Sequence, residues 1–242
     1  MEIKRDYTKD TILCIPDMHV PYHHPDALAF LEEVRDIYDP TLVVNLGDLM
    51  DFHNISFYNS DPDLYNAGDE LNEARGYIAE LEEAFPDMYI IGSNHGDLPL
   101  RKFVAAGLPK GLLRSYNEIY DVGEGWKFVP DLTIRCKGRD IPDLYFAHGI
   151  RKNALQVAQQ RGQRFSCGHF HENFELRYAG NPNSLIWAMM CGCLINKNSM
   201  AFGYNKLNLN RPILGAAVIE NGIPTLIPML LNKDGRWIRE IL

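Results

Sequence analysis

Short apolar runs and amphipathic stretches alternate along the first third of the chain. Thr11-Ile-Leu-Cys-Ile15 is a β-rich run that stops at Pro16, and Thr41-Leu-Val-Val-Asn-Leu46 is a second that stops at Gly47-Asp48. Between them Ala27, Leu28, Leu31, Val34, Ile37 and Tyr38 recur at helical spacing, after Pro25-Asp26 and before Pro40. A second helix is predicted from Asp69 to Phe85, with Leu71, Ala74, Ile78 and Leu81 on one face, followed by a strand at Met88–Ile91. Strand–helix–strand order of this kind predicts an α/β fold with parallel strands. Residues 96–125, with Pro99, Gly107-Leu-Pro109 and further glycines, read as an irregular insertion of short helices and loops, expected to lie over the site. Beyond it, strands are predicted at Lys127–Val129, Leu132–Cys136, Leu144–Ala147, Arg164–Cys167, Phe174–Tyr178 and Leu185–Cys191. A helix from Asn153, a good N-cap, to Arg161 is stopped by Gly162. Asn221-Gly222 joins two further apolar runs, Ile213–Glu220 and Ile223–Leu231, as a hairpin.

Composition narrows the class. At 242 residues, 46% hydrophobic and 23% charged, the chain fits one globular domain, 1–242, and excludes a disordered tail, a collagen or a coiled-coil rod. The longest apolar run, Ser184–Ile195, is too short to span a bilayer. Glu2, Asp6, Asp10 and Asp17 are foreign to a secretory signal, so a cytoplasmic protein with no membrane partner is expected. Five cysteines without a CxxC pair predict reduced, mostly buried thiols. The net charge of −8 argues at first against an anionic partner, but the charge is segregated: −15 over residues 1–96, +5 over 97–164 and +2 over 165–242.

Five polar clusters each follow a predicted strand: Asp17-Met-His19, Gly47-Asp48, Gly92-Ser-Asn94-His95, His148-Gly149 and Gly168-His169-Phe-His171. In an open α/β sheet the carboxyl ends of the strands face one crevice, so groups far apart in sequence converge there. Imidazole nitrogens, carboxylate oxygens and one amide oxygen are ligands suited to Zn, Mn, Fe or Ni. In Asp17-x-His19 and His169-x-His171 an extended backbone puts both side chains on one side. Asp48 can bridge two cations, and two divalent ions about 3.5–4 Å apart can hold a bridging hydroxide against a phosphoryl group. His95, beside Asn94, is then free to stabilise or protonate the leaving oxygen.

The ordered set DxH, GD, GxNH, H, GHxH resembles the calcineurin-like metallophosphoesterases over roughly residues 11–195. The resemblance implies a two-sheet β-sandwich flanked by helices. It implies a first metal on Asp17, His19, Asp48 and His171, a second on Asp48, Asn94, His148 and His169, and His95 as the catalytic histidine. Family members commonly carry an acid directly after GNH; here Gly92 is separated from Asn94 and the acid arrives one position late, at Asp97. Asp51 matches the family's second acid of the GD block, with an orienting role. Two divalent ions are therefore expected, manganese first, with iron, zinc or nickel as alternatives.

Arg151 and Lys152, just after His148-Gly149-Ile150, are expected at the rim, where they could hold phosphate or a nucleic-acid strand. His23, His24 and His53 read either as partly exposed loop residues or as substrate contacts. The expected function is hydrolysis of phosphodiesters, nucleic acid among the candidates, by a metal-bridging hydroxide. The alternatives are a phosphomonoesterase, either protein phosphatase or nucleotidase, and a non-catalytic scaffold on the same fold.

Overall fold

A computed structural model describes residues 1–57, 63–136, 140–180, 182, 184–196, 199 and 211–241. In chain order its elements are β1 (Glu2–Lys4), β2 (Thr11–Ile15), α1 (Ala27–Tyr38), β3 (Leu42–Asn45), α2 (Ala67–Ala84), β4 (Met88–Ile91), α3 (Leu98–Ala105), α4 (Tyr116–Tyr120), β5 (Trp126–Val129), β6 (Leu132–Arg135) and β7 (Leu144–Phe146). They continue with α5 (Ala154–Arg161), β8 (Arg164–Cys167), β9 (Phe174–Gly180), β10 (Leu185–Cys191), β11 (Gly215–Glu220) and β12 (Ile223–Pro228). Two six-stranded mixed sheets form, ordered β12-β11-β2-β3-β4-β5 and β1-β6-β7-β8-β10-β9.

Strand alternation decides the layers. Along β2, Ile12 and Cys14 pack between the sheets, against Val44, Leu132, Phe146, Trp187 and Met189, whereas Leu13 and Ile15 pack with Phe30 and Val34 of α1 and Ile78 of α2. The second sheet repeats the rule: Trp187, Met189 and Cys191 of β10 face the sandwich, while Ile186, Ala188 and Met190 meet Ala154, Val157 and Ala158 of α5. Helices thus cover the outer faces of both sheets, with β-layers between them. The hairpin at Asn221-Gly222 pairs β11 with β12, and β2, β3 and β4 pair in parallel, as predicted, with β5 joining parallel to β4 as well.

Local chemistry moves some boundaries. Asn66, not Asp69, starts α2, its side chain accepting hydrogen bonds from the Gly68 and Asp69 amides at 3.0 Å each. β1 was not expected, because Glu2-Ile-Lys4 has one apolar residue; it pairs in parallel with the edge of β6. All five cysteines are free and four are buried. Among the described residues no helix is long and apolar enough to cross a membrane.

Asp26 ties the chain's end to α1. It accepts hydrogen bonds from Arg236 Nε at 2.8 Å and the Trp237 amide at 3.0 Å, with a second Arg236 contact through Nη2. Trp237 then packs edge-on against Phe30, centroids 5.5 Å apart. The Arg236 hydrogen bonds are the main cause that lowers the Asp26 carboxyl to about 2. A carboxyl lowered by folding stabilises the fold above its unfolded value near 4, and that contribution is lost as pH falls from about 4 towards 2. Because the Arg236 side chain is 59% exposed, solvent screening keeps that contribution small. Asp26→Asn should therefore lower the melting temperature at pH 7 but not at pH 2, as thermal unfolding at the two pH values would show.

Candidate metal centre

The polar clusters that follow β2, β3, β4, β7 and β8 meet at one end of the sandwich. Backbone hydrogen bonds fasten their loops together: the Met18 and His19 amides donate to Asp48 O (3.1 and 2.8 Å), and the Leu194 amide donates to Asp17 O (2.7 Å). The Asp48 amide donates to Ser93 Oγ at 2.8 Å, and the His95 amide donates to Asp48 Oδ1 at 3.1 Å. Three of the converging residues hold left-handed backbone conformations that side chains other than glycine seldom adopt: His19 (φ 52°), Asp48 (φ 46°) and His169 (φ 74°). Gly47, at φ 102°, has no room for a side chain, since a Cβ there would lie 2.7 Å from His148 Nδ1.

The side chains form three overlapping groups whose ligand atoms lie within 4.8 Å of one another: Asp17, His19 and His171; His19, Asp48 and His95; Asp48, His148 and His169. Asp48 is common to two of them. Its Oδ2 lies 3.5 Å from His19 Nε2 and 3.2 Å from His148 Nε2. Asn94 Oδ1 approaches the same His148 nitrogen at 2.9 Å.

Hydrogen bonds on the far side of the rings fix which nitrogen faces the centre. His148 Nδ1 lies 2.9 Å from Leu46 O and His95 Nδ1 2.5 Å from Asp51 O; a carbonyl only accepts, so each Nδ1 carries a proton. His19 Nδ1 is 2.5 Å from the buried Asp51 carboxylate. The inward nitrogens crowd together: His19 Nε2 and His171 Nε2 are 3.2 Å apart, and His148 Nε2 and His169 Nδ1 are 3.1 Å apart. Asp17, fully buried, receives the His169 amide on Oδ2 at 2.7 Å, while its Oδ1 has no hydrogen-bond partner among the described residues. A buried carboxylate oxygen with no partner among the described residues, set among converging imidazoles of which His148 and His95 are backed by carbonyls and His19 by a carboxylate, suits a divalent cation.

The electrostatics agree. Burial alone would raise Asp48, but the His148, His19 and His95 imidazoles outweigh it and hold the carboxyl well below its ordinary range. Burial opposes charging His148, yet Asp48 and Asp17 raise it to about 9. His171 rises for the same reason beside Asp17, and burial with the neighbouring His148 lowers His169.

The sequence profile described as calcineurin-like phosphoesterase matches residues 10–208. The chain belongs to this family. No curated protein matches it in sequence. Its fold is similar to that of Vps29 from Chaetomium thermophilum, at 12% identity and a TM-score of 0.51, over 97% of this chain and 94% of that one. YfcE, a phosphoesterase from E. coli, is 11% identical with a TM-score of 0.47, over 94% and 96% of the two chains.

The outlying residues expected around this phosphoesterase-family centre divide. Asp51 lies against the imidazoles, its carboxylate 3.4 Å from His95 Nδ1 and 3.6 Å from His53 Nδ1 as well as on His19. Lys152 pairs with Glu172, next to His171, at 2.9 Å, and Arg151 is exposed. Asp97 accepts from the Tyr116 hydroxyl at 3.2 Å, and no contact joins it to His95 among the described residues. His24 is a core residue rather than an exposed one: it is buried, accepts from the Asp26 amide and donates to Gly235 O. The ring of His23 lies on Tyr77, centroids 3.5 Å apart, and burial lowers it to about 4.

Two supporting residues were not anticipated. Ser93 Oγ accepts from both the Asp48 and the Gly96 amides, and its place in Gly-Ser-Asn-His is the one sequence signal for that turn. Glu70, buried in the first turn of α2, accepts from the His53 and Asn54 amides (2.7 and 3.1 Å), and burial pushes it up to about 7. It looks in sequence like any acid at a helix start.

Proposed function

We propose that this chain hydrolyses phosphate esters, phosphodiesters before monoesters, with His95 as general acid. The carrying observation is the convergence of Asp17, His19, Asp48, His148, His169 and His171 beside an imidazole whose Nδ1–H is already engaged. Asp17, His19, Asp48 and His171 would hold one divalent ion and Asp48, Asn94, His148 and His169 a second, with manganese the first expectation. When bound, such ions withdraw charge from the phosphoryl group and activate water.

The remaining chemistry belongs to the chain. The Asp51 carbonyl holds His95 Nδ1–H, leaving Nε2 to give a proton to the leaving oxygen. The Asp51 carboxylate lies 3.4 Å from the same Nδ1 and helps fix the ring's orientation. Proton donation matters most for a poor alkoxide leaving group, which is why a retained His95 favours diesters of sugars over activated esters. Arg151, exposed after Gly149, is suited to a second phosphate at the rim.

The test compares kcat/KM for bis-aryl and mono-aryl phosphates with Mn²⁺ present. The diester is expected to be the better substrate; a preference for the monoester would replace this reading with a phosphomonoesterase.

A further inference from the structure

A cavity of about 340 Å³ opens beside the metal centre, at the carboxyl ends of β4 and β5, with Asp48 in its wall. Small-molecule sites have this size and makeup, apolar walls with a few polar groups. Tyr116, Tyr120 and Phe128 form one side, Phe128 lying parallel to Tyr120 (centroids 5.3 Å, 9°) and nearly so to Tyr116 (5.3 Å, 28°). Leu100 of α3 also lines the cavity.

Two polar groups here are only partly used. Tyr120 is 3% exposed, yet its hydroxyl makes no hydrogen bond with a described residue. Burial keeps that phenol protonated, with Tyr116, Asp48 and Asp97 adding to the effect. Asp97 accepts the Tyr116 hydroxyl on Oδ1, while Oδ2 has no partner among the described residues. An aromatic wall, a carboxylate acceptor and a neutral hydroxyl suit a flat heteroaromatic ring with N–H donors along one edge. A phenyl ring would leave Asp97 and Tyr120 unanswered.

We infer that this cavity receives a nucleobase of the guanine kind, whose neighbouring ring N–H and amino group can both donate to Asp97. The inference rests on the phosphoesterase reading for its biological sense, since a base seated here would leave its sugar phosphate beside the candidate metal centre, whose Asp48 lines the same cavity. Tyr116 and Phe128 supply the stacking surface, and Tyr120 supplies a donor or acceptor to the ring.

The test needs no hydrolysis. Binding of guanosine, ribose and phenol to the full chain is measured by saturation-transfer NMR and calorimetry, with and without Mn²⁺. Guanosine should bind and ribose should not. Leu100→Trp, which fills the cavity, should abolish guanosine binding, and Asp97→Asn, a change at an exposed side chain, should weaken it about tenfold or more. Far-UV circular dichroism checks the fold of both variants; if Leu100→Trp fails to fold, Asp97→Asn decides alone. Absent guanosine binding, guanosine binding unchanged in a folded variant, or phenol binding as tightly as guanosine would each overturn the inference. Because guanosine carries no phosphate, such a failure leaves the hydrolase reading standing, and an inert enzyme that still binds guanosine leaves this one standing.

Discussion

His95→Ala is expected to lower kcat for phosphodiester hydrolysis by roughly 10²–10⁴ while leaving bound metal unchanged. The size of the loss should follow the leaving group. A nitrophenolate departs without a proton, so the bis-aryl phosphate should sit near the lower end; an alkoxide needs one, so a dinucleotide or alkyl diester should sit near the upper end. That trend separates proton donation from ligation, since His95 also stands within ligand reach of His19 and Asp48. If His95→Ala released metal and slowed every ester equally, His95 would be a ligand and not the acid.

Gly168→Ala is expected to damage the centre without replacing a titratable group. A Cβ at this position would lie 2.0 Å from Asp17 Oδ1. Asp17 cannot yield easily: it is fully buried, its other oxygen holds the His169 amide at 2.7 Å, and His171 Nε2 is 3.1 Å from that same oxygen. One methyl group should therefore cost roughly 1–3 kcal/mol of stability by overpacking. Displacing a carboxylate in this donor set should also weaken Mn²⁺ binding by roughly 10–100-fold. Thermal unfolding and a Mn²⁺ titration of the variant would show both losses. Native affinity in the variant would mean that Asp17 does not face the ion.

The sequence made the strands readable because each short apolar run ends at a polar cluster, and the clusters themselves, DxH, GD, GxNH and GHxH, converge as their order implies. Layer order was not readable. In β2 the run Ile12-Leu13-Cys14-Ile15 is buried on both faces, so its hydrophobicity does not say which side meets the partner sheet and which meets α1. The surroundings of the centre were hidden for a related reason. Glu70 under His53, Ser93 under Asp48 and the Tyr116–Phe128 wall are assembled by tertiary packing, and none carries a local pattern. His24 shows the converse: a loop position in sequence becomes core because Gly235, far along the chain, folds back over it. Charge placement was more informative than net charge, for the −15 of residues 1–96 includes Asp17, Asp48 and Asp51, which lie among imidazoles in the centre.

The most direct test follows hydrolysis of a bis-aryl phosphate as the metal-free chain is titrated with Mn²⁺, with bound metal counted on the same samples. The account predicts that activity rises with occupancy, saturates at about two ions per chain and disappears with excess chelator. A chain that binds Mn²⁺, Ni²⁺, Co²⁺ or Zn²⁺ and hydrolyses no phosphate ester with any of them would contradict it and leave a metal-binding scaffold on this fold.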